Sequence, residues 1–351
     1  MTTTNGSADT FTIGAMLGPG EIELRSVPVP APGAGEALIR IEATAICTWE
    51  QRSFSGQQAN KFPFVGGHEI VGSIVEFGPG YFGPLKPGDR VATGSSACGA
   101  CHWCLTGQDR GCKEHYAGSV SYGDAWGPGG FAQMKIHRAD GLFYVGEAAA
   151  ETAALVEPLS CALHSTRLAD VGLGDDVVVI GAGVMGLLNV IAAKKRGARV
   201  IVSEVDARRL DKAREIGADH VIDASATDPV ARVKELTDGR GATVVIAAIG
   251  HPKANEQGMA MLAVRGTFVL FASAHPQEPL ELLPNQVHND EHRVIGVVSS
   301  EKQDFYSAAQ LIRLNQVDLS PLLESTYELD NLKDALDEAI LPGKYRVIVK
   351  A

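Results

Sequence analysis

The chain has 351 residues, 45% hydrophobic and 21% charged, the balance of a soluble globular protein, and it is too long for one compact core. Two domains are therefore expected. A formal net charge of −11, with no basic stripe to offset it, excludes general affinity for nucleic acid or an anionic membrane surface.

The opening MTTTNGSADT is polar and lacks the basic region and apolar core of a secretory signal. No run of about eighteen apolar residues follows it, so no membrane span is expected. The expected compartment is the cytoplasm, where clustered cysteines more often bind metal than pair as disulfides. Residues 11–45 and 65–92 alternate apolar and polar positions in short runs, among them EALIRIEATAI and HEIVGSIVEFG. The breaks between them, PVPAPGAGE and GPGYFGPLKPGDR, are turn-forming, and the pattern predicts a small β-barrel or sandwich.

Cys47 lies in AICTWEQ, and His68 and Glu69 lie in GGHEIVG. Taken singly, each has an ordinary structural explanation as a buried thiol, a capping histidine or an acid. Residues 94–115 then hold Cys98, Cys101, Cys104 and Cys112 in C-x2-C-x2-C-x7-C spacing, four of the six cysteines. This pattern suits a closed tetrahedral zinc site. An iron–sulfur cluster is the rival reading, but the ferredoxin pattern continues x3-C-P, whereas here seven residues intervene and Lys113 follows Cys112. His102 and His115 are near enough in sequence to compete as ligands. Cys161 reads as a buried helix residue without chemical work.

Near residue 150 the texture changes. AAAETAALVEPLSCALHSTRLA, which contains Glu157, has helical spacing. From Asp176 onward strands and helices alternate: DVVVIGAG, VMGLLNVIAAKKRG, ARVIVSEV, DARRLDKAREIG, then HVIDA, ATVVIAAIG, GTFVLFASA and HRVIGVVSS as further strands. Runs that are apolar throughout predict parallel strands covered on both faces, an α/β domain with a doubly wound sheet. Gly181, Gly183 and Gly186 form G-x-G-x-x-G directly after the first of these strands, and Val184 and Met185 open the helix that follows. Its N–H groups face the pyrophosphate of a dinucleotide. Glu204, about twenty residues on, is placed to accept from the adenine ribose hydroxyls, which favours NAD over NADP. Asp206 is the competing acid, and Arg208 or Arg209 could instead meet a 2′-phosphate.

In order along the chain, Cys47, GHE with Gly72 and Gly78 after it, PGDRV, the four-cysteine lobe, GGFA, EPLSCALH and the dinucleotide motif resemble the zinc-containing medium-chain alcohol dehydrogenases. The sequence is most similar to their sorbitol and L-threonine dehydrogenase branch. The resemblance implies a GroES-like β-barrel catalytic domain of residues 1–157 and 297–351, carrying the zinc lobe at 94–115, with a Rossmann NAD-binding domain of residues 158–296 between its parts. It implies Cys47, His68 and Glu157 as ligands of a catalytic zinc, with Glu69 adjacent or exchanging with Glu157. It further implies a structural zinc on the four cysteines, and Thr48 as the hydroxyl beside the reacting oxygen. The implied reaction is oxidation of a polar secondary alcohol (a polyol, sugar derivative or amino alcohol) with NAD, by a homo-oligomer, tetramer or dimer. Trp49, Glu50, Gln51 and Arg52 are expected to line the mouth of the pocket. An NADPH-dependent reductase of the same fold and a non-enzymatic zinc- and nucleotide-binding protein are the competing readings.

Overall fold

The structure, a computed structural model, describes residues 10–115, 118–274 and 277–351. All but the last residue of the opening MTTTNGSADT, read above for targeting, lies outside them. The chain divides into two compact units, one running up to Glu157 and resuming over Glu301–Ala351, the other formed by Pro158–Ser300.

The first unit begins with an antiparallel pair, β1 (Thr10–Gly18) and β2 (Glu21–Pro28). Strand β3 (Glu36–Ala45) leads into helix α1 (Thr48–Phe54), and β4 (Glu69–Phe77) and β5 (Arg90–Thr93) follow. The cysteine lobe contains the one-turn helix α2 (His102–Leu105). A hairpin of β6 (Val120–Tyr122) and β7 (Ala125–Gly127) precedes β8 (Met134–Arg138) and β9 (Leu142–Tyr144). The helical stretch predicted from 148 to 169 is two helices, α3 (Ala150–Ala153) and α4 (Val156–Leu168). Pro158 is tolerated because it sits in the first turn of α4, where no intrahelical N–H bond is lost.

In the second unit β10 (Asp176–Ile180), α5 (Val184–Lys195), β11 (Arg199–Glu204), α6 (Ala207–Ile216) and β12 (His220–Asp223) alternate as the sequence predicts. Helices α7 (Pro229–Leu236) and α8 (Pro252–Met261) flank β13 (Ala242–Ala247). Strand β14 (Leu262–Leu270) starts earlier than the run GTFVLFASA indicates, and α9 (Pro284–Asn289) precedes β15 (Arg293–Gly296). The six strands are parallel in the order β12-β11-β10-β13-β14-β15. The order reverses beside β10, at whose carboxyl end the G-x-G-x-x-G turn lies. Every residue of β10 is buried, as expected of a strand covered on both faces.

The chain returns to the first unit at Glu301, beyond the sequence-based boundary at 297. Val297 N–H still donates to Leu270 O, at 3.1 Å, so the segment after β15 continues to bond to the parallel sheet. A capping box of Glu301 and Asp304 then starts α10 (Lys302–Arg313), followed by β16 (Leu323–Glu328), α11 (Leu332–Ala339) and β17 (Arg346–Lys350). Strand β17 pairs antiparallel with β3 in a sheet ordered β16-β17-β3-β4-β5-β9, with β8 also on β3. The core of this unit packs Ile13, Met16, Phe64 and Phe131 against Leu332 and Leu336 of α11. The C-terminal segment is thus structurally part of the N-terminal fold.

Candidate active site

Three strand ends converge in the first unit. Ala45 at the end of β3 pairs with Glu69 at the start of β4 and with Ile348 on β17. Ile46 N–H donates to Val347 O at 2.9 Å, which brings Cys47 beside Arg346. Cys47 is the N-cap of α1. His68 directly precedes Glu69, after Gly67. Gly67 has φ +85°, and a Cβ there would lie 2.7 Å from Thr44 Cγ2 and 3.0 Å from Gly130 backbone, so only glycine fits this turn.

The ligand-type atoms of Cys47, His68 and Glu69 all lie within 4.8 Å of one another. Glu157, expected from the resemblance to complete the set, stands in the first turn of α4, outside that group of three. Its charge still reaches the site, where it raises both the Glu69 carboxyl and the Arg346 guanidinium. As the molecule stands, the carboxylate in the set is Glu69. Thr48 is exposed at the start of α1 and belongs to neither candidate metal set.

Two charged residues complete the centre: Glu50, expected at the mouth of the pocket but turned inward, and Arg346, to which sequence reasoning assigned no part. Glu50 is fully buried, and its Oε1 lies 2.7 Å from His68 Nδ1 and accepts from Gly67 N–H at 3.0 Å. A carboxylate only accepts, so Nδ1 carries the hydrogen and, in the neutral ring, Nε2 keeps its lone pair. Arg346, also buried, donates to Glu69 Oε1 at 2.5 Å and lies 3.7 Å from Cys47 Sγ. Burial opposes charge on His68, but Glu50 and Cys47 outweigh it and hold the imidazole well above its ordinary pKa. Burial pushes the Glu69 carboxyl up against the pull of Arg346. Burial likewise works against the Arg346 charge, which Glu69 and Cys47 maintain. Local signals for these two residues were absent: Glu50 sits three residues from Cys47 among other polar side chains, and Arg346 is 299 residues away from it.

A zinc ion fits this set. Its donors are of the thiolate, imidazole and carboxylate types that zinc takes, and their surroundings favour a cation. Glu50 Oε2 and Glu69 Oε2 are buried without a hydrogen-bond partner, so the pocket holds more acceptor than donor capacity.

The four-cysteine lobe is a separate cluster. Its four sulfurs lie within 4.8 Å of one another, with Cys98–Cys104 at 3.8 Å and Cys101–Cys104 at 3.6 Å. These separations suit a tetrahedron with metal–sulfur bonds of about 2.3 Å, whose edges are about 3.8 Å, and all four cysteines are unpaired by disulfide. Ala100 and Cys101 N–H groups bond to Cys98 Sγ and draw its thiol down to about 6, whereas burial pushes Cys104 up to about 12. His102 and His115 are not in the cluster. The lobe is anchored to the start of α10: Arg110 N–H donates to Glu301 at 2.8 Å, and Lys302 N–H donates to Asp109 at 3.2 Å. Cys161 is buried in α4.

In the second unit Gly181 has φ +96°, and a Cβ on Gly186 would lie 1.9 Å from Gly181 O, so both positions require glycine. A Cβ on Gly183 would meet nothing within 4 Å, which leaves the backbone open at the N-cap of α5. Val184 is buried and Met185 half-buried in the first turn. Glu204, buried at the end of β11, accepts from Ala182 N–H at 2.8 Å, Val205 N–H at 2.7 Å and Asp206 N–H at 3.2 Å. Asp206 is instead the N-cap of α6, accepting from Arg209 N–H at 3.0 Å. The Arg209 guanidinium approaches Glu204 at 3.9 Å, and Arg208 is exposed.

Comparison with known proteins places this arrangement. The family Alcohol dehydrogenase GroES-like domain matches residues 33–147, and the family Zinc-binding dehydrogenase matches residues 184–313. A sorbitol dehydrogenase of Halalkalibacterium halodurans is 33% identical over 320 residues, 89% of this chain and 90% of its own length. An L-threonine 3-dehydrogenase of Pyrococcus horikoshii is 33% identical over 344 residues, covering 93% and 94%. Among solved structures, a zinc-binding dehydrogenase of Sinorhizobium meliloti bound to NADP superposes with a TM-score of 0.87 at 27% identity, over 98% of this chain and 100% of that one.

Proposed function

The chain belongs to the zinc-type medium-chain alcohol dehydrogenases, and from that membership we propose that it reversibly oxidises a polar secondary alcohol (a polyol, sugar derivative or amino alcohol) to the ketone with NAD. The observation that carries this reading is the set Cys47, His68 and Glu69, with His68 oriented by Glu50.

Cys47, His68 and one carboxylate, Glu69 or Glu157, would hold the catalytic zinc. Zinc, when bound, supplies Lewis acidity that polarises an alcohol oxygen, and the nicotinamide cofactor supplies the hydride acceptor. Glu50 fixes the His68 tautomer, so that Nε2 is the nitrogen offered to the metal. Arg346 offsets the charge of Glu69, which makes the Glu69 carboxylate a weaker donor and leaves room for Glu157 to take its place. Thr48, next to Cys47 in the chain, would supply the hydroxyl beside the reacting oxygen.

Glu204 supports NAD: its buried carboxylate, accepting from three N–H groups, would occupy the place that a 2′-phosphate needs. The four cysteines would hold a second zinc that closes the lobe and leaves no position for substrate. The reading includes a homo-oligomer in the cytoplasm, supported by the resemblance to the polyol and threonine branch. Among the described residues no helix is long and apolar enough to cross a membrane.

The test is a panel of polyols, sugar acids and amino alcohols, followed by cofactor absorbance with NAD and with NADP. Turnover with NAD at kcat/KM above that with NADP is expected. Turnover with NADP alone would transfer the protein to the reductase reading, and none with either would end the dehydrogenase reading.

A further inference from the structure

Helix α1 carries an arginine that the site as described does not use. Among the described residues, Arg52 is partly shielded from solvent, yet its guanidinium makes no hydrogen bond or ion pair. Arg40 and Arg110 of this unit also lack a guanidinium partner but are exposed, whereas Arg25 meets Glu23 and Asp124, Arg90 meets Glu42, Arg138 meets Asp140 and Arg346 meets Glu69. A guanidinium without an acidic partner is free to pair with an anion brought by a ligand. The acid nearest in the chain, Glu50, is turned inward to His68 and Gly67, and Glu69 at the centre is taken by Arg346.

The helix geometry says where this cation stands. Glu50, Ser53 and Phe54 form the buried face of α1. At 3.6 residues per turn, Thr48 and Arg52 lie opposite that face, and Trp49 lies on the flank between. Trp49 is half-buried, and its indole meets the His68 ring edge-on, with centroids 5.9 Å apart, and Phe64 at 5.2 Å. Trp49 and Arg52 are i, i+3 neighbours, so the arginine stands next to the flank that touches the candidate metal ligand. Arg52 lies five positions after the N-cap Cys47, about 7.5 Å along the helix axis. A six-carbon chain, five C–C bonds of about 1.5 Å in zigzag, spans about 6 Å.

We propose that Arg52 is the specificity residue for an anionic terminal group, a phosphate monoester or a carboxylate, on a polyol-sized substrate whose reacting alcohol sits at the Cys47–His68 centre. The proposal rests on the alcohol dehydrogenase reading above and narrows its substrate class. Guanidinium pairs with both groups through parallel N–H···O bonds. Trp49 alongside offers an apolar ring for the C–H face of the carbon chain.

The experiment compares a neutral six-carbon alditol, its terminal phosphate monoester and the matching aldonate, as substrates of the zinc-replete protein and of Arg52→Met and Arg52→Lys. In the unsubstituted protein kcat/KM is expected to favour at least one anionic substrate over the neutral one, and the favoured arm distinguishes phosphate from carboxylate. Arg52→Met is expected to reduce that preference by about 10- to 100-fold, chiefly through KM, as loss of a charged hydrogen-bond pair implies. Arg52→Lys is expected to retain part of it. Added salt should raise KM for the anionic substrate in the unsubstituted protein and much less in Arg52→Met. A preference for the neutral alditol, or an anionic preference unchanged in Arg52→Met, overturns the assignment. Turnover confined to other neutral alcohols overturns it while leaving the dehydrogenase reading intact, whereas turnover of no alcohol at all overturns both.

Discussion

Replacing Glu50 by glutamine removes a negative charge from beneath His68 while keeping the side chain's shape. In the fold this carboxylate is fully buried, and one oxygen serves both His68 Nδ1 at 2.7 Å and Gly67 N–H at 3.0 Å. A hydrogen bond to a charged group contributes about 1.5–3 kcal/mol against about 0.5–1.5 for a neutral pair, so Glu50→Gln weakens the support of His68 by about 1–2 kcal/mol. That corresponds to a loss of about 5- to 30-fold in affinity for the exchangeable zinc, overlapping the range of about 10- to 100-fold for removal of a carboxylate behind a metal-binding histidine. A second effect opposes it. Glu50 also helps hold the His68 pKa well above its usual value, so in the native site protons compete with metal for the imidazole. Glu50→Gln lowers that proton affinity and relieves the competition where protons are abundant. The deficit should therefore be largest near pH 9 and shrink toward about pH 6. Competition with a chelator of known affinity over that range, with zinc counted per chain, measures it. A deficit independent of pH, or an affinity within about twofold of the unsubstituted protein throughout, would refute the reasoning.

The barrel holds a second pH-sensitive element in Lys135, buried on β8 with its ammonium on the carbonyls of Gly118 at 2.9 Å and Pro128 at 2.6 Å. Burial lowers its pKa from 10.5 to about 7, so between those values the unfolded chain binds a proton there that the folded chain does not. This site's contribution to stability therefore rises with pH across that window, by up to about 1.4 kcal/mol per pH unit. Lys135→Met should abolish that slope in urea unfolding measured at several pH values, and parallel curves for the two proteins would count against it. In the lobe, Cys101→Ser should lower the zinc content from about two to about one per chain and reduce Tm, because three thiolates no longer close the tetrahedron. An unchanged metal content would show that the lobe does not depend on Cys101 for its ion.

The parts of the molecule legible in the sequence were those specified over short stretches. The four lobe cysteines fall within fifteen residues, and their spacing alone suggests a tetrahedral site. Gly181, Gly183 and Gly186 were readable because each serves a separate backbone need within one turn, met here by φ +96° at Gly181 and a 1.9 Å approach to Gly186. Arg346 could not be read in this way, since it reaches Cys47 only through the pairing of β17 with β3. The choice between Glu69 and Glu157 likewise depends on which strand end and which helix turn face the centre. Helices α7 and α8 went unread although Asp228 and His251 cap them and a proline follows each cap. On β8 a period-two reading would send Lys135 and His137 to solvent, but the strand packs against β3 with those two inward. Alternation fixes which residues share a face, and only the tertiary fold decides which face is covered.

The central claim is that a zinc ion on Cys47, His68 and a carboxylate enables alcohol oxidation. Its most direct test is to measure alcohol-dependent reduction of NAD, with NADP in parallel, as the exchangeable zinc is withdrawn by chelation and then restored. The account predicts turnover that falls in proportion to the first zinc lost and returns on adding zinc, while Cys47→Ser stays folded and inactive throughout. Full turnover in protein stripped of that zinc, or in Cys47→Ser, would contradict it.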